Sequence, residues 1–271
     1  MSGLLETHGL TVTYGGLNAN DNVNISVAEG KLTGLIGPNG AGKTTFIDAI
    51  TGFTAPSAGT VNFDGKEINS LTPDARAKVG LTRTFQSLEL FEDLTVRDNL
   101  LVAAEVPRWY SFATDIFRPG RKVKAIEDQV DWALDIIGIG DLADKLPSDL
   151  SHGQRKLVSV SRALAAKPKL VLLDEPAAGL DTAESQVLGA HLREFLTKGI
   201  TVFLIDHDMG LVLNVCDYIY VLDFGRIIAE GTPAEVRSNP AVISAYLGET
   251  AGEEQARSGS AVGQASHGGQ Q

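Results

Sequence analysis

The chain has 271 residues, of which 43% are hydrophobic and 21% charged, with a mean hydropathy of +0.03. This composition supplies a sizeable core and excludes a collagen-like, coiled-coil or largely disordered protein. A formal net charge of −11 and a pI near 4.9 argue against a surface that coats nucleic acid, because such affinity comes from Lys and Arg displacing counterions.

Leu4–Val12, followed by Val23, Ile25 and Val27, alternates apolar with polar residues and breaks at Gly15-Gly16, which predicts strands of a half-buried antiparallel sheet. Thr60–Phe63, Asp64-Gly65 and Lys66–Ile68 read as a hairpin with an Asp-Gly turn. Between them, the apolar run Leu32–Ile36 leads into a Gly-rich loop and a helix from Lys43 to about Thr51. Residues from Thr95 to Gly138 read as mostly helical, with Thr95 and Asp98 in a capping relation. That stretch is interrupted by an aromatic and basic segment, 107–124. A helix follows Ser151 as far as about Ala166 and stops before Pro168. Lys169–Leu173 and Ile200–Ile205 have the continuous apolarity of buried parallel strands, and Tyr218–Leu222 with Arg226–Ala229 forms a closing pair around Gly225. Trp132 falls in a helical run and is expected in the core, and Cys216 reads as a small buried residue. From about Thr250 large apolar residues nearly vanish, so 251–271 is expected to be a disordered tail. One cysteine, no apolar run of roughly 18–20 residues and no signal pattern in MSGLLETHGL make the expectation a soluble, cytoplasmic protein.

The loop Gly37, Pro38, Asn39, Gly40, Ala41, Gly42, Lys43, Thr44, Thr45 fits G-x-x-x-x-G-K-[ST]. Its glycines let successive N–H groups turn inward onto phosphate oxygens, and the helix adds its positive N-terminal end. Lys43 suits the β- and γ-phosphates, and the Thr44 hydroxyl suits Mg²⁺. A chance match is expected roughly once in a hundred chains of this size, and a strand before and a helix after remove most of that chance. Leu170–Leu173 ends in Asp174 and Glu175, where a parallel strand delivers its residues to ligand. Asp174 suits the metal, and Glu175 is placed to activate a water that attacks the γ-phosphate.

Leu150-Ser151-His152-Gly153-Gln154 opens a helix about twenty residues before that strand. With the phosphate loop, it resembles the signature of the ATP-binding cassette ATPases, and the resemblance covers roughly residues 4–248. It implies an α/β P-loop NTPase fold with a RecA-like core, an antiparallel β subdomain and a helical subdomain inserted at about 87–165, within a nucleotide-binding domain of residues 1–250. By the same resemblance Tyr14 stacks on adenine and Gln86 touches Mg²⁺ and water. Asp181 is the D-loop acid, His207 the switch histidine, and Ser151, His152, Gly153 and Gln154 meet the ATP of a partner cassette. His152 departs from the commonest signature, which has Gly there.

Gly80–Gln86, Asp174–Leu180, Ile205–Met209, Leu222–Pro233 and Ala245–Gly248 are similar to the branched-chain amino acid importer ATPases of the LivG type, whose relatives serve urea and amides. The resemblance implies ATP and Mg²⁺ as cofactors and a second cassette as partner, a LivF-like paralogue or a second copy. It also implies two transmembrane permease chains, a solute-binding protein met indirectly, no nucleic acid, and a place on the cytoplasmic face of the plasma membrane. The segment Arg108–Lys124 is either a permease- or lipid-facing surface or an insertion packed on its own subdomain. Two other readings stand beside this one: a soluble or export-type cassette, and a P-loop kinase or GTPase, for which no Asn-Lys-x-Asp motif is present.

Overall fold

The computed structural model describes residues 3–84, 90–104 and 119–246, with side chains from 124 onward in the last stretch. Gln86, most of the 107–124 segment and the tail 251–271 lie outside the described residues.

The alternating N-terminal stretch forms β1 (Leu5–Tyr14) and β2 (Leu17–Val27), antiparallel across the Gly15-Gly16 turn. The Asp-Gly hairpin supplies β4 (Ala58–Phe63) and a two-residue β5 (Lys66–Glu67), giving a four-stranded sheet in the order β2-β1-β4-β5. The second sheet collects β3 (Leu32–Ile36), β6 (Leu81–Arg83), β7 (Leu170–Asp174), β8 (Thr201–Ile205), β9 (Tyr218–Asp223) and β10 (Arg226–Gly231). Its order is β10-β9-β3-β8-β7-β6, with β10 antiparallel to β9 and every other neighbouring pair parallel.

Side chains alternate across that sheet, and each face makes its own core. Leu35, Leu170, Leu172, Phe203 and Ile205 point towards α1 (Lys43–Thr51) and the antiparallel sheet. Phe46 of α1 meets Phe203 edge-on, ring centroids 6.5 Å apart. Leu32, Val171, Leu173, Val202 and Leu204 point the other way. There they meet α6 (Thr182–Thr197), α7 (Met209–Val215) and the helices α3 (Val96–Ala104), α4 (Pro119–Ile137) and α5 (His152–Ala165). The mostly helical stretch expected from Thr95 to Gly138 contains, among the described residues, α3 and α4. The Thr95–Asp98 cap is present: the Thr95 hydroxyl accepts from the Asp98 amide at 3.1 Å.

Trp132 corrects its expectation. It is half-buried at the margin of the core, with Lys167 Nζ 5.9 Å from its ring centroid, because α4 presents only one side to its neighbours. Cys216 is buried, and burial pushes its thiol pKa up. A side chain at Gly34 of β3 would press on its sulfur.

Two short helices were not foreseen, α2 (Pro73–Lys78) and α8 (Pro233–Ser238), each opened by Thr-Pro. From α2 comes Arg76, 2% exposed, which donates through Nη1 to the carbonyls of Ala49 and Ile50, each at 2.8 Å, and through Nε to Leu71 at 3.1 Å. It thus satisfies the last carbonyls of the helix that begins at the phosphate loop. Arg76→Leu strands those acceptors in the interior and is expected to lower unfolding free energy by about 3 kcal/mol, read as a shift of the urea midpoint.

Candidate nucleotide site

The carboxyl ends of β3, β7 and β8 lie side by side, with Asp174 in register with Ile205 and Leu35 also opposite Ile205. The phosphate loop, Asp174, Glu175 and His207 all emerge at or near this edge. The loop after β3 closes tightly because of two glycines. Gly37, at φ +158°, passes the Leu222 carbonyl so closely that a Cβ would collide with it, and Gly42, at φ +102°, does the same against Ala19. Asn20 Nδ2 donates to the Gly42 carbonyl at 3.1 Å, and the Gly225 amide donates to Ala41 O at 2.9 Å. The loop is thus braced by β2 and by the β9–β10 turn.

Gly42 is the N-cap of α1, with no side-chain cap and no acid in the first turn. The amides of Lys43, Thr44 and Thr45 have no intrahelical acceptor by geometry, so the helix start is suited to an anion. Lys43 is buried and donates through Nζ to Gly37 O at 2.6 Å and Pro38 O at 2.9 Å, which holds its ammonium over the loop. The Thr44 side chain is exposed at the helix start.

Asp174 is buried at the end of β7, and Arg83 at the end of β6 meets it: Nη2 to Oδ2 is 2.8 Å. The same guanidinium reaches Asp48 of α1 through Nη1 at 2.5 Å. Burial pushes the Asp174 carboxyl above its usual range, and Arg83 opposes that rise. Glu175, half-exposed, takes φ +48°. Its amide donates to Ile205 O at 2.7 Å, and its carbonyl accepts from Lys156 Nζ and from the Ala178 amide, each at 3.2 Å. Lys156 is buried on α5, and that burial lowers its pKa against the pull of Asp206, Glu175 and Asp174.

His207 is exposed just past β8, with Nδ1 3.7 Å from Glu175 Oε1 and 3.6 Å from Asp206 Oδ1. Both separations exceed hydrogen-bond range. Asp206 is fully buried and accepts from the Ala177 amide at 3.2 Å and the Asp208 amide at 3.0 Å, tying the turn after Glu175 to the histidine. Burial raises its carboxyl pKa, and those two amides oppose the rise.

The signature residues form the start of α5. Ser151 Oγ accepts from the Gln154 amide at 3.2 Å, and Gln154 Oε1 accepts from the Ser151 amide at 3.0 Å, a complete capping box. Gly153 lies so close to the Glu184 carboxylate that a side chain there would have to displace it, whereas His152 is exposed, and its Nε2 lies beside Gly179. The Gly153 position is therefore the more crowded of the two, and the His152 position is open. Asp181 is the N-cap of α6, with a second capping box through Glu184. Tyr14 is 53% exposed at the end of β1, its hydroxyl 3.3 Å from Thr54 Oγ1 just beyond the C-terminal end of α1. Lys43, Thr44, Asp174, Glu175 and His207 thus share one sheet edge, Ser151–Gln154 and Asp181 lie along the adjoining helix starts, and Tyr14 stands apart.

Arg83, Lys156 and Asp206 were not singled out from sequence. Asp206 had a signal, an acid directly before the histidine at a strand end, while the two cations had none. Among the described residues no cluster of three or more His, Cys, Asp or Glu could hold a metal by itself. The Thr44 hydroxyl and Asp174 carboxylate are hard oxygen donors, which fits Mg²⁺ completing its shell with phosphates and water.

A strand, a glycine loop on a helix N-terminus and an acidic neighbouring strand end define a P-loop nucleotide-binding protein. The model for the ABC transporter family matches residues 20–178, and a model described as a branched-chain amino acid ATP-binding cassette transporter matches 226–252. The chain is 38% identical over 250 residues to BraF, a high-affinity branched-chain amino acid transport ATP-binding protein of Pseudomonas aeruginosa, covering 91% of this chain and 98% of the relative. The LivG protein of Escherichia coli, of the same description, gives the same figures. The crystal structure of the ADP conformation of the ATP-binding cassette MJ1267 superposes with a TM-score of 0.81 at 35% identity, covering 92% of this chain and 100% of that one. The chain belongs to the ABC transporter family, as its ATP-binding cassette.

Because Asp174 is buried and Arg83 is largely covered beside it, removing the arginine leaves an uncompensated charge. Arg83→Met is expected to cost about 3 kcal/mol of stability; Asp48→Asn, which leaves the Asp174 pair in place, is expected to cost about 1 kcal/mol. Urea unfolding of both variants measures the difference.

Proposed function

We propose that this chain is the energy-coupling ATPase of an importer for branched-chain amino acids or a related small polar solute. The observation that carries the reading is the 38% identity with BraF and LivG over 250 residues, together with the match of residues 226–252 to the branched-chain cassette model. The geometry supports the chemistry. In this reading residues 1–250 form the nucleotide-binding domain, with 87–165 as its inserted helical subdomain.

Backbone amides of 40–45 and Lys43 hold the phosphates, and Tyr14 packs on adenine. Thr44, Asp174 and Gln86 would hold Mg²⁺, which when bound would supply positive charge against the phosphates. Glu175 takes the proton of the attacking water as its oxygen bonds to the γ-phosphorus and the bond to the ADP oxygen breaks. His207, within 4 Å of Glu175, orients the γ-phosphate side of the site. One chain supplies one phosphate loop and one signature, so Ser151, His152, Gly153 and Gln154, with Asp181 beside them, complete the site of a second cassette, a LivF-like paralogue or another copy.

No helix among the described residues is long and apolar enough to cross a membrane. In this reading transport passes through two separate permease chains, cargo arrives by a solute-binding protein, and the cassette lies on the cytoplasmic face of the membrane.

Tagged protein from gently solubilised membranes is expected to bring down two permease chains and a second cassette; ribosomal proteins instead would overturn the importer reading while leaving the ATPase. Glu175→Gln is expected to keep ATP affinity, lower turnover at least about a hundredfold and accumulate an ATP-bound dimer. Lys43→Ala is expected to weaken ATP binding itself by about tenfold or more, measured by fluorescent-nucleotide titration.

A further inference from the structure

Glu175 stands on a backbone that L-residues rarely adopt, at φ +48°, and such a conformation persists only where its surroundings impose it. Three contacts impose it here. Two are local to the sheet edge: the Glu175 amide on Ile205 O and the Ala178 amide on Glu175 O. The third comes from a different part of the fold. Lys156 Nζ donates to the same Glu175 carbonyl at 3.2 Å. Its stem is buried between α5 and the β7 end, in the field of Asp174, Glu175 and Asp206.

Lys156 lies two residues past Gln154, in the first turns of the helix that Ser151 caps. That helix start also presses on the turn beyond Glu175, with His152 at Gly179 and Gly153 at Glu184. The segment from Glu175 to the first turn of α6 thus lies against α5, and Lys156 is its charged anchor. A lysine is an unusual filler for a buried site; an ammonium has three donors and no acceptor, and here one of them is spent on a main-chain oxygen. The consequence is directional control: rotation of Glu175 out of its φ +48° conformation would swing both its carbonyl and its carboxylate, and the ammonium's hold on the carbonyl opposes that rotation.

We propose that Lys156 is a positioning residue for ATP hydrolysis, holding the backbone of Glu175 from the signature helix so that the carboxylate faces the attacking water. This rests on Glu175 being the base, as proposed above. It makes the helix whose N-terminus addresses a partner's nucleotide the same rigid element that sets this chain's own hydrolytic group.

The test uses the full-length chain in its co-purified complex, with phosphate release as the assay and thermal melting alongside. Lys156→Met is expected to lower kcat about tenfold with KM for ATP changed less than about twofold. Lys156→Arg, which restores a charged donor, is expected to recover kcat to within about threefold of wild type. Added to Glu175→Gln, Lys156→Met is expected to lower the residual rate no further, since both act through one carboxylate. The inference is overturned if Lys156→Met leaves kcat unchanged, raises KM instead, or compounds the Glu175→Gln loss in full. It is equally overturned if Lys156→Arg melts normally yet loses as much kcat as Lys156→Met. Should Lys156→Met melt early, the arginine variant decides alone. If Glu175→Gln itself turns over normally, the base assignment above fails; if that variant is inactive and Lys156→Met is not, only the present inference fails.

Discussion

Gly37 and Gly42 stand where the backbone of the phosphate loop passes so close to Leu222 and Ala19 that no side chain fits, and this steric condition sets where the rest of the site goes. A loop held off by even one methyl group would lose its hydrogen bonds to Asn20 and Gly225, and with them the aim of its amides. The loop is clamped from both sheets at once: β2 of the antiparallel sheet on one side and the β9–β10 turn of the parallel sheet on the other. The packing of α1 between the two sheets is what allows one short segment to touch both.

Around that loop the charges are arranged as a buried mixture rather than a row of acids. Asp174 and Asp206 are buried, Glu175 is half-buried, and Arg83 and Lys156 lie between them and the surrounding helices. Burial raises the pKa of both aspartates and lowers that of the lysine, so each group alone would drift towards neutrality. Hydrogen bonds and the Arg83 ion pair hold them in place. This is the preorganisation that phosphoryl transfer needs, since the protein has little to do there beyond positioning and charge stabilisation.

Features whose cause lies within a few residues were legible in the sequence. The G-x-x-x-x-G-K-T loop, the Ser151–Gln154 cap, the Asp64-Gly65 turn and the apolar strand ending in Asp174-Glu175 each state their own geometry. Arg76, Arg83 and Lys156 did not, because a cation in a chain of mixed charge reads as surface until the fold brings its acceptors to it. Arg83 lies 91 residues from Asp174, and Arg76 lies 27 from Ala49. The short helices α2 and α8 had a local signal, Thr-Pro at their starts, too brief to show periodicity. Trp132 misled for the opposite reason: a large apolar residue on a helix face reads as core, yet α4 leaves that face at the margin.

The single sulfhydryl of the molecule, Cys216, is buried against β3 under the last helices, with its ionisation suppressed by that burial. Thiol reagents act on the thiolate and need access, so the native fold shields this atom twice. A reporter dye attached through an engineered surface cysteine would therefore have one reactive address, with the natural sulfur left in place. The same atom becomes available only as the fold around it opens, which makes the rate of its labelling a built-in clock for that opening.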